Sequence, residues 1–154
     1  MKFIRTSRNR FLFHLAKREK ALLLQILELY PRIPPAHHRL SRKGGLPDHE
    51  ANQRLLDEAL NEQRADNRRQ LQALLTNPRR FTELDNGWRL SLSPGELEWL
   101  LQVLNDIRVG SWVELGSPEE KIDQLTEETA PHVWAMELAG HFQMCLLEAL
   151  EGET

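Results

Sequence analysis

Residues 88–116 read WRLSLSPGELEWLLQVLNDIRVGSWVELG. Trp88, Leu90 and Leu92 alternate with Arg89 and Ser91, the period of a strand with one buried face. Ser93, Pro94 and Glu96 then follow the order of a helix start. A hydroxyl accepts at the N-cap, a proline occupies the first helical position where its missing N–H is not needed, and a glutamate reaches back to the N-cap amide. Leu97, Leu101 and Leu104 recur at helical spacing, which predicts a helix to about Val109 or slightly beyond.

The same pattern stands at the start of the chain. Residues 1–15 read as two short strands, KFIRT and RFLFHL, around a turn at Ser7-Arg8-Asn9. Phe11, Phe13 and Leu15 alternate with Arg10, Leu12 and His14. A helix over 17–30 follows, dense enough in leucine to be largely buried, and Pro31 ends it. Phe11, Phe13, Leu15 and Glu19 recur as Trp88, Leu90, Leu92 and Glu96, and Leu23-Leu24-Gln25-Ile26-Leu27 recurs as Leu100-Leu101-Gln102-Val103-Leu104, all at an offset of 77. Two strand-helix units of one pattern predict a pseudo-twofold core, with paired strands and helices on one face.

Between the units lies a proline- and glycine-rich basic stretch, residues 31–47, which reads as a flexible linker. Asp48 is placed to cap a long helix to about Leu75. That helix has an apolar stripe at each end and a polar waist, NEQRADNRRQ, expected to face water, kink or break. After Gly116 an acidic stretch offers a short helix, PEEKIDQL, and Pro131 opens a last helix over 131–150. Apolar residues cover most of that helix, which predicts a central position. The expected fold is mainly α within an α+β class: a bundle of four to five helices with a small sheet of two to three short strands, in a single domain over 1–154.

Hydrophobic residues are 40% and charged residues 28%, a balance that argues against wholesale disorder. No apolar run reaches the length of a membrane span, and the apolar run at 11–15 is too short for a signal-peptide core. With one cysteine, Cys145, no disulfide can close within the chain. The expected location is therefore cytoplasmic. The net charge of −3 hides an asymmetry: residues 1–45 carry eleven Lys/Arg against two acids, and residues 46–154 carry nine against 21. A basic arm before an acidic body suits nucleic acid, an acidic protein, or packing of the arm on its own body.

Two features go beyond packing. Arg108 falls on the apolar face of Leu97, Leu101 and Leu104, while Glu137, His141 and Glu148 share a polar stripe on the last helix. A buried arginine needs a carboxylate, so one expectation is an Arg108–glutamate network joining the two helices. The other is that Arg108 snorkels to water at the helix end. Glu137 or His141 as a general base lacks any accompanying nucleophile motif, phosphate loop or metal spacing. His37, His38 and His49 do not complete a metal-ligand pattern, and Glu137, His141 and Cys145 rising along one helix cannot close a tetrahedral site. No catalytic residue, cofactor or metal is expected, and Cys145 reads as a structural thiol.

The motif W-L-x-x-L-N-D-x-R, here Trp99-Leu100, Leu104-Asn105-Asp106 and Arg108, is followed by Leu115-Gly116 and by Phe142-Gln143 with Leu147–Leu150. Together these resemble an uncharacterised bacterial family, a domain of unknown function. It is named for AosR-like oxidative-stress transcriptional regulators and is best known from actinobacteria, where its genes often lie near the ClpS adaptor gene. The resemblance covers about 88–150, more loosely 10–30. It implies a small helical non-enzyme acting through macromolecular contacts, with Asn105, Asp106 and Arg108 as its most motif-like positions. A lone cysteine departs from any intramolecular disulfide switch. The expected function is a regulatory or protein-interaction module connected with transcription, its partner another protein. One alternative is nucleic-acid binding through Arg5, Arg8 and Arg10, interleaved with phenylalanines; another is a structural homodimer.

Overall fold

A computed structural model describes residues 1–34, 48–120, 122 and 125–152. The chain opens with a hairpin, β1 (Lys2–Ser7) and β2 (Arg10–Leu15). Its two-residue turn puts Arg8 at φ 52° and Asn9 at φ 61°. Left-handed backbone at both central positions matches the right-handed twist of the flanking strands, and asparagine tolerates it better than most residues. A second hairpin joins β3 (Phe81–Leu84) to β4 (Gly87–Leu92), with Gly87 at φ 146°. A Cβ at Gly87 would stand 2.3 Å from the Leu15 carbonyl oxygen, so only glycine lets β4 approach β2 there. The four strands form one antiparallel sheet in the order β1-β2-β4-β3. The sequence reading of two to three strands missed β3. Its four residues, FTEL, are too few to show an alternation, and they follow directly on the Asn77-Pro78 stop.

The two hairpins meet at the centre of the sheet. Phe11 pairs with Leu92, Phe13 with Leu90 and Leu15 with Trp88. The offset of 77 exchanges the first and last of these pairs and carries Phe13 onto its own partner. The ladder therefore has a local twofold axis through Phe13 and Leu90. The outer strands follow, since Phe3 pairs with Phe13 and Phe81 with Leu90. The helix starts match too. The Ala16 amide donates to Glu19 Oε1 at 3.0 Å and the Ser93 amide to Glu96 Oε1 at 3.3 Å. Across the pseudo-axis, Lys20 of α1 (Lys17–Leu27) lies 3.3 Å from the centre of the Trp88 ring, a cation–π contact.

Helices cover one face of the sheet. Phe11, Phe13 and Leu15 of β2 and Leu90 and Leu92 of β4 point into the core, with Leu23, Ile26 and Leu27 of α1 above them. The capped helix α3 (Pro94–Glu114) adds Leu97, Leu100, Val103, Leu104 and Ile107. The last helix, α4 (Ala130–Glu151), packs along α3. It contributes the small residues Ala135, Ala139 and Ala149 with Phe142 and Leu146, so the two helices approach closely. Each fully buried Leu, Ile or Phe here is worth about 1.5–3 kcal/mol of transfer free energy before the entropy of ordering is set against it. The expectation that α4 is central holds for that face only: Trp134, Met144 and Leu147 lie exposed on its other side.

The long helix α2 (His49–Thr76) runs without a break through its polar waist. Its inward stripe is Leu60, Arg64, Asn67, Leu71 and Leu74, a heptad-like spacing in which two polar residues stand among three leucines. Asp48 stands at the N-cap position, but in left-handed backbone and without a side-chain cap bond. The described part of PEEKIDQL is not helical; Lys121, Asp123 and Gln124 lie outside the described residues. The stretch 35–47, with His37 and His38, also lies outside them. No helix among the described residues is long and apolar enough to cross a membrane.

Candidate functional site

Asp106 is the most heavily used of the motif residues. It sits on α3 beneath the chain that leaves α1, and its Oδ1 accepts from the backbone amides of Arg32 at 2.6 Å and Ile33 at 3.3 Å. Arg64 of α2 donates to the Ile33 carbonyl at 2.6 Å, and the Arg32 guanidinium meets Nδ1 of His132 on α4. Gly110, one turn after Asp106, removes the side chain that would block this seat, since a Cβ there would fall 2.4 Å from the Arg32 carbonyl carbon. Three helices thus grip residues 30–34. Asn67 ties the same corner together: its Nδ2 donates to the Tyr30 hydroxyl at 2.8 Å and its Oδ1 accepts from Trp99 Nε1 at 3.0 Å. The sequence reading expected the waist to face water, kink or break here. The signal that could have found Arg64 and Asn67 was their fit to the spacing of Leu60, Leu71 and Leu74.

Arg108 does not enter the core. It is exposed, its Nη2 donates to Asn105 Oδ1 at 3.4 Å, and no carboxylate of the described residues lies within 4.0 Å of it. The expected Arg108–glutamate network is therefore not formed. The reason lies on the facing helix: Gly140 offers no side chain, and a Cβ there would stand 3.7 Å from Arg108 Cδ. The aliphatic stem lies along that gap while the charged head reaches water. Asn105 is exposed, and it lines with Asp106 and Arg64 a depression of about 180 Å³. Glu137, His141 and Glu148 are all exposed on α4. His141 Nε2 stands 3.9 Å from Cys145 Sγ and its ring meets Phe142 edge-on. Burial pushes the Cys145 thiol above its ordinary pKa, with the nearby N-terminal ammonium opposing. That is the setting of an inert thiol rather than a nucleophile. Among the described residues no group of His, Cys, Asp and Glu is placed to hold a metal ion.

Around Arg108 the surface is apolar. Trp112 of α3 and Met136 of α4 form a shared wall between two depressions. One, of about 300 Å³, is lined also by Pro118, Ile122 and Val133. The other, of about 230 Å³, is closed by Arg108 and Val109. Met144 and Leu147 are exposed farther along α4, at 57% and 43%, and Trp134, at 42%, stands across the stripe of Glu137, His141 and Glu148. Side chains of this kind left in water on one surface are the unusual observation. Glu119, Glu120 and Glu137 rim the larger depression, and Glu148 and Glu151 stand exposed farther along α4.

The arginines proposed for nucleic acid separate into two kinds. Arg10 is engaged within the chain: its Nε donates to Ser91 Oγ at 2.7 Å, and one Nη2 reaches the Ser91 carbonyl at 3.0 Å and Glu96 Oε1 at 3.5 Å. Arg80 Nη1 stands 3.0 Å from the other Glu96 oxygen. Arg5 and Arg8 are exposed, on β1 and at the hairpin turn. Phe11 and Phe13 lie in the core and cannot stack on bases. Comparison with protein-family models, with curated proteins and with solved structures gave no match.

Proposed function

We propose that this chain is a non-catalytic protein-interaction module whose docking face is the outer side of α4 with the adjoining end of α3. The observation that carries the reading is the pair of side-chain-sized depressions on either side of Trp112 and Met136, continued by exposed Met144 and Leu147. Methionine suits such a surface because its flexible, polarisable side chain repacks against different partners. A ridge between two hollows fits the anchor side chains of an amphipathic helix, spaced three or four residues apart. The acidic rim favours a partner helix with Lys or Arg beside its apolar anchors. The resemblance of residues 88–150 to AosR-like regulators supports a partner within the transcription machinery.

The test is affinity capture with paired variants, read by mass spectrometry. Met144→Glu combined with Leu147→Glu should lose the protein that the unaltered chain retains, while Leu55→Glu, at an exposed leucine on α2, should keep it. Capture that no α4 variant alters would remove this surface as the docking face. Light scattering separates the rival occupant, a second copy of the chain: a concentration-dependent dimer abolished by Met144→Glu would assign the face to self-association instead.

A further inference from the structure

The side of the sheet turned away from the helices carries a charge pattern of its own. Directly opposed residues in an antiparallel sheet share a face, and neighbouring strands lie about 4.8 Å apart. The register therefore aligns Lys2, His14, Arg89 and Thr82 in one transverse row. A second row runs from Arg5 through Leu12 to Ser91, over which the Arg10 guanidinium is laid. Lys2, Arg5 and Arg89 are exposed and enter none of the ion pairs of the described residues. No strand residue on this face is acidic. Glu96 is held between Arg10 and Arg80 at one corner, Glu19 is paired with the Met1 ammonium, and Glu83 and Asp85 stand at the β3 edge, Glu83 with its side chain on the other face.

The chain is thus polarised across its thickness, with acids beside the helical docking face and unpaired cations on the sheet. We infer that the outer sheet face binds the phosphate backbone of a nucleic-acid duplex, without reading its sequence. The choice of duplex follows from what the face lacks. No Phe, Tyr or Trp side chain belongs to either row, so splayed bases would find no ring to stack on, and stacking is what favours a single strand. A duplex instead presents one phosphate charge per about 1.7 Å of its length, the denser target for a cationic surface. A membrane surface is disfavoured because Leu12 is half-buried and cannot insert, and exposed Ile4 at the β1 bulge is a single apolar side chain, too little to anchor the face. The inference is independent of the α4 docking face, since no residue is shared.

The experiment is fluorescence anisotropy of the full chain with a labelled mixed-sequence duplex, titrated at several salt concentrations. Three phosphate contacts predict a log–log salt slope of about −2.7. Arg89→Glu, Arg5→Glu and Lys2→Glu should each weaken binding at least tenfold at low salt and flatten the slope by about one. Arg54→Glu on α2, with the same change in net charge, should leave binding within a factor of two or so of the unaltered chain, the scale of a general charge effect. If a reversal disturbs the circular dichroism spectrum, Arg89→Gln serves in its place and should still flatten the slope. Absence of salt-dependent binding, equal loss in Arg54→Glu, tighter binding to the matching single strand, or adhesion to anionic vesicles without duplex binding would each overturn the proposal.

Discussion

Replacing Gly110 with alanine should unfold the corner that Asp106 holds, and the size of the effect can be worked from the geometry. Alanine at a helix-interior glycine ordinarily gains about 1 kcal/mol. Here the new methyl would meet Arg32 backbone at 2.4 Å and 2.6 Å, and backbone cannot turn aside as a side chain can. Overpacking of this kind costs about 1–3 kcal/mol. If residues 30–34 lift away, the two amide bonds to Asp106 go with them, each worth about 1.5–3 kcal/mol with a charged acceptor. Partial relaxation keeps the sum below its maximum, and the net loss should be about 2–4 kcal/mol. At about 3 °C per kcal/mol for a chain of this size, Tm falls by about 6–12 °C. Gly140→Ala is the internal control. Its nearest neighbour is 3.7 Å away, so the propensity gain survives and stability should rise by up to about 1 kcal/mol. Urea unfolding followed by circular dichroism measures both. Gly110→Ala with an unchanged midpoint would show that residues 30–34 do not seat on α3, and equal losses in both variants would assign the effect to helical glycine in general.

Asp106→Ala should destabilise by about 2–4 kcal/mol and Asp106→Asn by about half as much, because the amide oxygen can still accept both bonds but without the charge; urea midpoints distinguish them. Glu96→Ala removes the capping contact and separates Arg10 from Arg80, a loss of about 1–2 kcal/mol that added salt should only partly mask, since Glu96 is half-buried; thermal unfolding at low and high salt reads this. Asn67→Ala orphans the Trp99 indole N–H and the Tyr30 hydroxyl, and a shift in tryptophan emission should accompany about 1–2 kcal/mol of lost stability. The raised Cys145 pKa means that the unfolded thiol ionises first. The thiol's contribution is thus fully present below the ordinary value of about 9 and is lost as pH climbs towards the folded value. Alkylation by iodoacetamide should be slow at neutral pH in the native chain and rapid in urea.

What the sequence made legible was what repeats locally. The period-2 runs of β2 and β4, the Ser93-Pro94-Glu96 cap and the apolar stripes of α3 and α4 each depend on neighbours within a turn or a strand. The offset of 77 was readable for the same reason. The site was less legible, because its contacts cross the chain. Asp106 meets amides more than seventy positions away, through a seat that exists only because Gly110 is bare. Arg108 was left between a buried network and a snorkelling stem because a helical wheel records direction and not what lies opposite: Leu101, on the same face, is itself only half-buried, and Gly140 opens a way out. The exposed side of α4 was hidden by composition. A helix apolar on most of its circumference reads as central, and only the placement of α3 shows which side stays wet.

The axis through Phe13 and Leu90 has a consequence for how copies of the chain meet. Each half contributes a hairpin and one covering helix, too little to be stable alone. Each half completes itself on a surface that is nearly its own image. A hairpin that recognises such an image recognises it equally well on another molecule, so the central ladder can close between chains by domain exchange. The connection through α2, gripped at residues 30–34 by Asp106 and Arg64, raises the effective concentration of one half beside the other within one chain. Loosening the Asp106 seat would therefore favour exchange between chains as well as disturb a structural corner.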